Sequence, residues 1–383
     1  MSPARTPISR WSDAFLDSMR QATDPEPDAL VSEIFEQGGE ESLLALRKFL
    51  DHWDAPITPS LPPRLREFFE RPVVYPSFVD FAQIDKASDL FVSYGPVTTV
   101  TLLLNSVPHF FTNPAGARAF YLAKIFSPES VRTRMREVPQ FVINITMHDG
   151  LRQKGTQKGP GILSAQKLRL AHAAIRLRLK IQHPEPEKNW DLATLGEPIN
   201  QEDLAEALMD FCLWTIEGLK KVGIDQTLEE QEATLMAWRA VGFLLGLRDE
   251  LQPQNIEEAR LLRQTTARRH ARGTPEAAAL IHDMLQIMEG MLPRLHRCWP
   301  AGLMRYQLGD ETADMVQVPD LPLVVWLLTA LKPVWEEKKI FARFARLVSP
   351  HIVHWLIWEK TARGRGPFHL PPLLAKSWGL SGN

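Results

Sequence analysis

Within Ser164–Ile181 (SAQKLRLAHAAIRLRLKI) one histidine sits on the apolar face of a basic helix. Leu168 lies four residues before His172, Ile175 three after and Leu179 seven after. At helical spacing these residues share one stripe. Lys167, Arg169, Arg176, Arg178 and Lys180 surround it with positive charge, and Arg176, one turn past His172, stays on the histidine's face. An imidazole in an apolar wall beside cations suits an iron-bound macrocycle with acidic side arms. The same pattern suits a core histidine that only satisfies a hydrogen bond.

Other residue types with chemical potential are sparse. Arg132, Arg134 and Arg136 alternate along a predicted helix at Ser130–Val142. They read either as a solvated basic face or, for Arg134, as an inward donor to an anion or a polarised oxygen. His351 and His354 sit three apart in HIVHWLIW, where only Glu359 could complete a metal site, so packing is the better reading. Cys212 and Cys298 lie in apolar helical contexts and read as free thiols. The chain carries no GxGxxG, Walker A, HExxH or GxSxG sequence and no cysteine pair at zinc spacing.

The elements that must position His172 are helices. The glycine-rich loop Gly150–Pro160 precedes its helix, which ends before His183-Pro184. Asn200 caps a helix over Gln201–Val222, with Glu202 and Asp203 in its first turn. Thr227-Leu-Glu-Glu230 is a capping box opening Leu228–Leu245. Further helices are predicted at Asp28–Gln37, Glu40–His52, Arg64–Glu70, Pro114–Ile125, Ile256–His270, Pro275–Gly290, Val324–Leu331 and Glu336–Val348. Pro128–Ile145 reads as a helix kinked or divided at Pro139, whereas Ser93–Val107 mixes β-branched residues with a leucine run and is ambiguous. The predicted fold is mainly α. A single large helical domain spans 61–383, and residues 1–60 form an N-terminal helical extension and connector.

Hydrophobic residues make up 44% and charged residues 23% of the 383, the balance of a globular chain with a sizeable core. A net charge of −2 provides no field for nucleic acid. Eleven tryptophans and eighteen phenylalanines suit an aromatic-lined apolar pocket, or equally a large core. The longest apolar run, Leu321–Leu331, contains Pro322 and is too short for a membrane-spanning helix. The N-terminus shows no apolar signal-peptide core, which predicts a cytoplasmic protein.

Four segments, in chain order, add a family resemblance. KLRLAHAAIR (Lys167–Arg176) resembles the histidine helix of the latex-clearing-protein and MpaB-type oxygenases. GEPINQEDLAEAL (Gly196–Leu208) and LKKVGIDQTLEEQEATLMAWRAVGFLLGL (Leu219–Leu247) resemble the stretches that follow it. GRGPFHLPPLLAKSWG (Gly364–Gly379) is similar to the family's C-terminal close. Together they cover roughly residues 115–380, and four pieces in register are more specific than any one.

The resemblance implies a helical fold binding one haem b, with His172 as proximal ligand through a neutral imidazole nitrogen and dioxygen as co-substrate. Leu168, Ile175 and Arg176 would then flank the cofactor. It also implies oxidative cleavage of a hydrophobic alkene or isoprenoid, whether small molecule or polymer, with haem doing the difficult chemistry. RMREVPQFV (Arg134–Val142) aligns with the family's distal segment, where Arg134 matches an arginine. Glu137 stands where the rubber-cleaving members have lysine, and Val138 where they have threonine. A carboxylate there reverses the local charge and could supply a base. Little polyisoprene cleavage is the expectation from this change. No carboxylate matches the family's distal glutamate securely; Glu129 is the nearest upstream. The change also keeps a second class of function in view, a haem-binding sensor or carrier without turnover. A helical interaction protein that has lost haem is disfavoured by the intact His172 helix.

Overall fold

The computed structural model describes residues 10–50, 57–58, 61–123, 138–290 and 292–338. Their architecture is mainly helical, as the periodicity predicts. Helices α1 (Asp13–Arg20) and α2 (Pro25–Leu50) lead into α3 (Pro63–Glu70) and α4 (Phe81–Thr101). A π-helical segment, Leu102–Ser106, joins α4 to α5 (Val107–Phe110), and α6 covers Pro114–Leu122. Helical residues 138–146, here α7, precede a small antiparallel hairpin that pairs Gln153 with Lys158. Then come α8 (Pro160–Lys180), the short α9 (Leu192–Leu195), α10 (Gln201–Lys221), α11 (Leu228–Leu244), α12 (Ile256–His270) and α13 (Pro275–Gly290). Helices α14 (Trp299–Leu308), α15 (Asp310–Met315) and α16 (Pro322–Lys338) complete the described residues. None of these helices alone is long and apolar enough to cross a membrane.

Local chemistry accounts for most boundaries. The Asn200 side chain accepts from the Asp203 amide at the start of α10, and Thr227 and Glu230 form the expected capping box on α11. The two predicted N-terminal helices are one run broken at Gly39, whose φ of 57° no side-chain-bearing residue adopts cheaply. Val324–Leu331 extends in both directions, because Pro322 occupies the first turn of α16, where its missing N–H costs nothing. The ambiguous Ser93–Val107 is helical. Pro108 cannot donate to the Leu104 carbonyl, and the register widens ahead of it: the Val107 amide bonds to Leu102 O, five residues back.

Helix α10 runs through the middle. Leu204, Leu208, Met209, Leu213 and Ile216 join Trp11 and Leu16 of the N-terminal segment, Trp238 and Leu244 of α11, and Leu262 of α12 in the largest apolar core. A second core unites Leu103, Phe111, Leu280, Met284 and Met304 from the π segment, α13 and α14. A third packs α2 and α3 on Leu170 and Ala173 of α8. Where α10 crosses α4 and α14, a Cβ on Gly218 would collide with Thr101 Cγ2 and come within 2.8 Å of Gln307 Oε1. Gly218→Ala should therefore lower stability by about 1–3 kcal/mol through overpacking, read as a reduced urea midpoint at unchanged slope.

Candidate functional site

Helix α8 carries His172. Pro160 opens it at the first turn, and Gly161 brings it against the Asn144 and Gly150 carbonyls and the Ile145 Cα, where any Cβ would clash. One side, Leu170 and Ala173, is buried on α2 and α3. The expected stripe behaves differently. Leu168, His172 and Ile175 are half-buried, Leu168 against the largest core and Ile175 against the second, whereas Leu179, the fourth member, is buried with Ala115, Ala119 and Trp190.

His172 has no hydrogen-bond partner on either ring nitrogen among the described residues. Burial, reinforced by the charge of Arg176, pushes its pKa down to about 3, so the imidazole is neutral at neutral pH. The ring is nonetheless only half-buried, so it keeps some accessible surface. Phe211 of α10 has the same character: it packs on three separate apolar cores yet stays half-buried. Phe141 of α7 spans two of those cores and is half-buried too, as is Val138. Arg134 and Glu137 lie outside the described residues, as do Glu129, His351, His354 and the Gly364–Gly379 motif.

Two of the cations around His172, Arg169 and Arg176, have acidic partners at the start of α2. Arg169 Nη2 donates to Asp24 Oδ1 at 2.8 Å and lies 3.5 Å from Glu26. Arg176 is buried with its Nε 2.7 Å from Asp28 Oδ1 and its Nη1 3.3 Å from the Ile199 carbonyl. Lys180 pairs with Glu197. Lys167 is 1% exposed and lies 4.8 Å over the Phe49 ring. These contacts clamp α8 to the N-terminal helices, and they occupy the Arg176 guanidinium.

A buried polar network was not anticipated. Glu202, Asp203, Glu206 and Asp210 on α10 are all buried. Asn113 caps α6 and donates to Asp203 Oδ1 at 2.9 Å and Glu206 Oε2 at 2.7 Å. Arg263 of α12 pairs with Asp210 and lies 3.4 Å from Glu206. Asp210 also accepts from Trp214 Nε1 at 2.9 Å, and Trp214 stacks on His109 with centroids 3.7 Å apart. His109 bonds through Nδ1 to the Asn105 carbonyl at 2.9 Å, and burial pushes its pKa down to about 3. The available signal was carboxylates at 202, 206 and 210, four apart, interleaved with Leu204, Leu208 and Met209. On a solvated helix face such neighbours would be polar.

Burial raises the Asp210 pKa to about 7, beyond what the Arg263 charge offsets. Above the ordinary 3.8 the unfolded carboxyl is ionised, whereas the folded one keeps its proton to about pH 7. Folding therefore takes up a proton in that window, and this group's contribution to stability falls as pH rises through it. Asp210→Asn should gain stability relative to wild type between pH 5 and pH 8, measured by urea titration at each pH. An unchanged difference would contradict the raised pKa.

Comparison with known proteins now bears on this geometry. Residues 111–349 match the family described as ER-bound oxygenase mpaB/B'/Rubber oxygenase, catalytic domain. The chain belongs to that oxygenase family. The matched region, well over half of the chain, contains α8, α10 and the α10–α12 part of the buried network, so the chain is an oxygenase. A curated relative, the Rubber oxygenase of Streptomyces sp. (strain K30), is 26% identical over 313 residues, which cover 81% of this chain and 74% of the relative. The solved structure of latex clearing protein LCP in the closed state superposes with a TM-score of 0.68 at 22% identity. That match covers 94% of this chain and 91% of the other, and it shows a shared single-domain helical fold.

Proposed function

We propose that this oxygenase depends on haem b, with His172 as proximal iron ligand, and that it uses dioxygen to cleave a hydrophobic alkene of isoprenoid type. The observation that carries this reading is the neutral, unpaired imidazole of His172 on a half-buried apolar face. A core histidine that merely satisfied hydrogen bonding would have a partner. The donor set fits the group: one neutral nitrogen, flanked by Leu168 and Ile175 against an apolar macrocycle. Haem, when bound, supplies activation of dioxygen.

The chain's own residues do the rest. His172 offers a lone pair without first losing a proton, because its pKa lies far below neutrality. Leu168, Ile175, Phe141 and Phe211 exclude water and offer apolar surface to an alkene. Val138 adds a methyl-bearing wall where a hydroxyl would otherwise hold water. Arg134 is assigned to stabilise charge on the reacting oxygen and Glu137 to act as a base, both from the sequence alignment. The substrate class follows the rubber named for the relative, and the acidic Glu137 shifts the preference toward short isoprenoids.

Oxygen uptake tests this reading. The purified protein should consume dioxygen when given squalene and form carbonyl products, with slower turnover on polyisoprene latex. Reversible oxygen binding without consumption on either substrate would instead make it a carrier or sensor. Faster turnover on latex would show that Glu137 does not set the preference.

A further inference from the structure

Arg239 of α11 is 7% exposed, yet its guanidinium has no hydrogen bond and no ion pair among the described residues. Its Nε is fully enclosed without an acceptor. The Phe78 ring is seated on it, 4.2 Å from the guanidinium carbon to the ring centroid. This is anomalous in physical terms. A guanidinium stays charged in proteins, and a buried charge is normally paired and fully hydrogen-bonded. The nearest carboxylates are engaged elsewhere or face solvent. Glu232 accepts from the Ile256 amide at 2.9 Å, Glu258 is held by Arg10 at 3.0 Å, and Asp249 is exposed. Burial first, and then the charge of Arg10, pull the Arg239 pKa below its usual value.

The surroundings suggest what is missing. One turn along α11, Phe243 shares the face of Arg239 and is half-buried, as is Met236 one turn before. The loop over residues 72–80 crosses this face. Its Tyr75 meets Phe243 at 5.6 Å between centroids, and its Phe78 lies under the guanidinium. Gln252 donates to the Arg239 carbonyl at 3.3 Å and fixes the backbone beneath. Half-buried aromatic side chains therefore surround a planar donor fork that has no protein acceptor among the described residues.

The geometry points to a binding site between the 72–80 loop and α11 for an oxyanion carried on an apolar chain, the carboxylate of an amphiphile, with Arg239 as its bidentate partner and Phe78, Tyr75 and Phe243 as the walls. It is independent of the haem reading. The carboxylate fits the fork in plane, and the chain covers the half-buried aromatic surface. Inorganic phosphate shares the oxyanion chemistry and lacks the chain, so the two sources are separable.

The test uses the protein as purified, titrated with octanoate, octanol and inorganic phosphate by calorimetry and thermal melting. Octanoate should bind and raise Tm, octanol should do neither measurably, and phosphate should bind at least tenfold more weakly than octanoate. Arg239→Met should weaken octanoate binding at least tenfold while leaving the ligand-free Tm equal to or above that of wild type, because an unpaired buried charge is removed. Arg239→Lys should fall between, since it keeps the charge and loses the fork. Absence of octanoate binding to wild type would overturn the proposal. So would an Arg239→Met protein that binds octanoate normally, or one whose ligand-free Tm drops, since that makes the guanidinium a structural cation on Phe78. Phosphate binding as tight as octanoate would overturn the apolar-chain assignment.

Discussion

His172→Ala is expected to yield folded protein that retains less than about a tenth of the wild-type haem. Loss of an outer-shell partner alone typically costs about 10–100-fold in metal affinity, so removing the ligand itself costs at least that. The imidazole makes no hydrogen bond that the fold would miss, which separates this result from unfolding: the ligand-free melting temperature should move little. His109→Ala provides the contrast. That ring is also buried and neutral, but it bonds to the Asn105 carbonyl and stacks on Trp214. Its loss should cost roughly 2–3 kcal/mol of stability, the sum of one hydrogen bond and one aromatic pair, and leave haem content unchanged. Haem loss in the His109 variant with retention in the His172 variant would exchange their roles.

Arg263→Met should be the most destabilising single change in the buried network, by about 3–5 kcal/mol at pH 8. Arg263 is the cation between Asp210 and Glu206, and all three are buried. Its removal strands two carboxylates in low dielectric. Asp210, already held near pH 7, escapes by taking a proton, so the loss should shrink clearly at pH 5. Urea titrations at the two pH values check this, and an equal loss at both would show that the penalty is one of packing rather than charge.

The sequence announces its helices where punctuation is local. The Thr227–Glu230 capping box, the Asn200 cap and the spans Ile256–His270 and Pro275–Gly290 all sit where their own side chains place them. Helix α14 escaped because Trp299–Leu308 follows the basic stretch Pro293–Cys298, and Pro300 reads as a breaker although it lies in the first turn. The candidate site was legible in part. The stripe of Leu168, His172, Ile175 and Leu179 follows from periodicity alone, and the fold leaves the first three half-buried while burying Leu179. The destinations of the cations did not follow, because Asp28 is 148 residues from Arg176 and Asp24 is 145 from Arg169. Partners at that separation are set by tertiary packing. The same holds for Glu206 and Asp210, which look like surface acids until α12 brings Arg263 across, 53 residues on from Asp210.

Two groups without a hydrogen bond among the described residues, the His172 imidazole and the Arg239 guanidinium, stand beside half-buried apolar side chains. The network on α10 is held by ion pairs and hydrogen bonds, yet it also leaves Glu202 Oε2, Glu206 Oε1, Asp210 Oδ2 and Arg263 Nη1 without a hydrogen bond. It connects Asn113, Arg263, Trp214 and His109, and holds α5, α6, α10 and α12 together.

The absorption spectrum of the purified protein, oxidised and then reduced, with its haem quantified as the pyridine complex, tests the central claim most directly. A Soret band and close to one haem b per chain are expected, both lost in His172→Ala. Protein without haem absorbance that nevertheless consumes dioxygen with an isoprenoid alkene would contradict it.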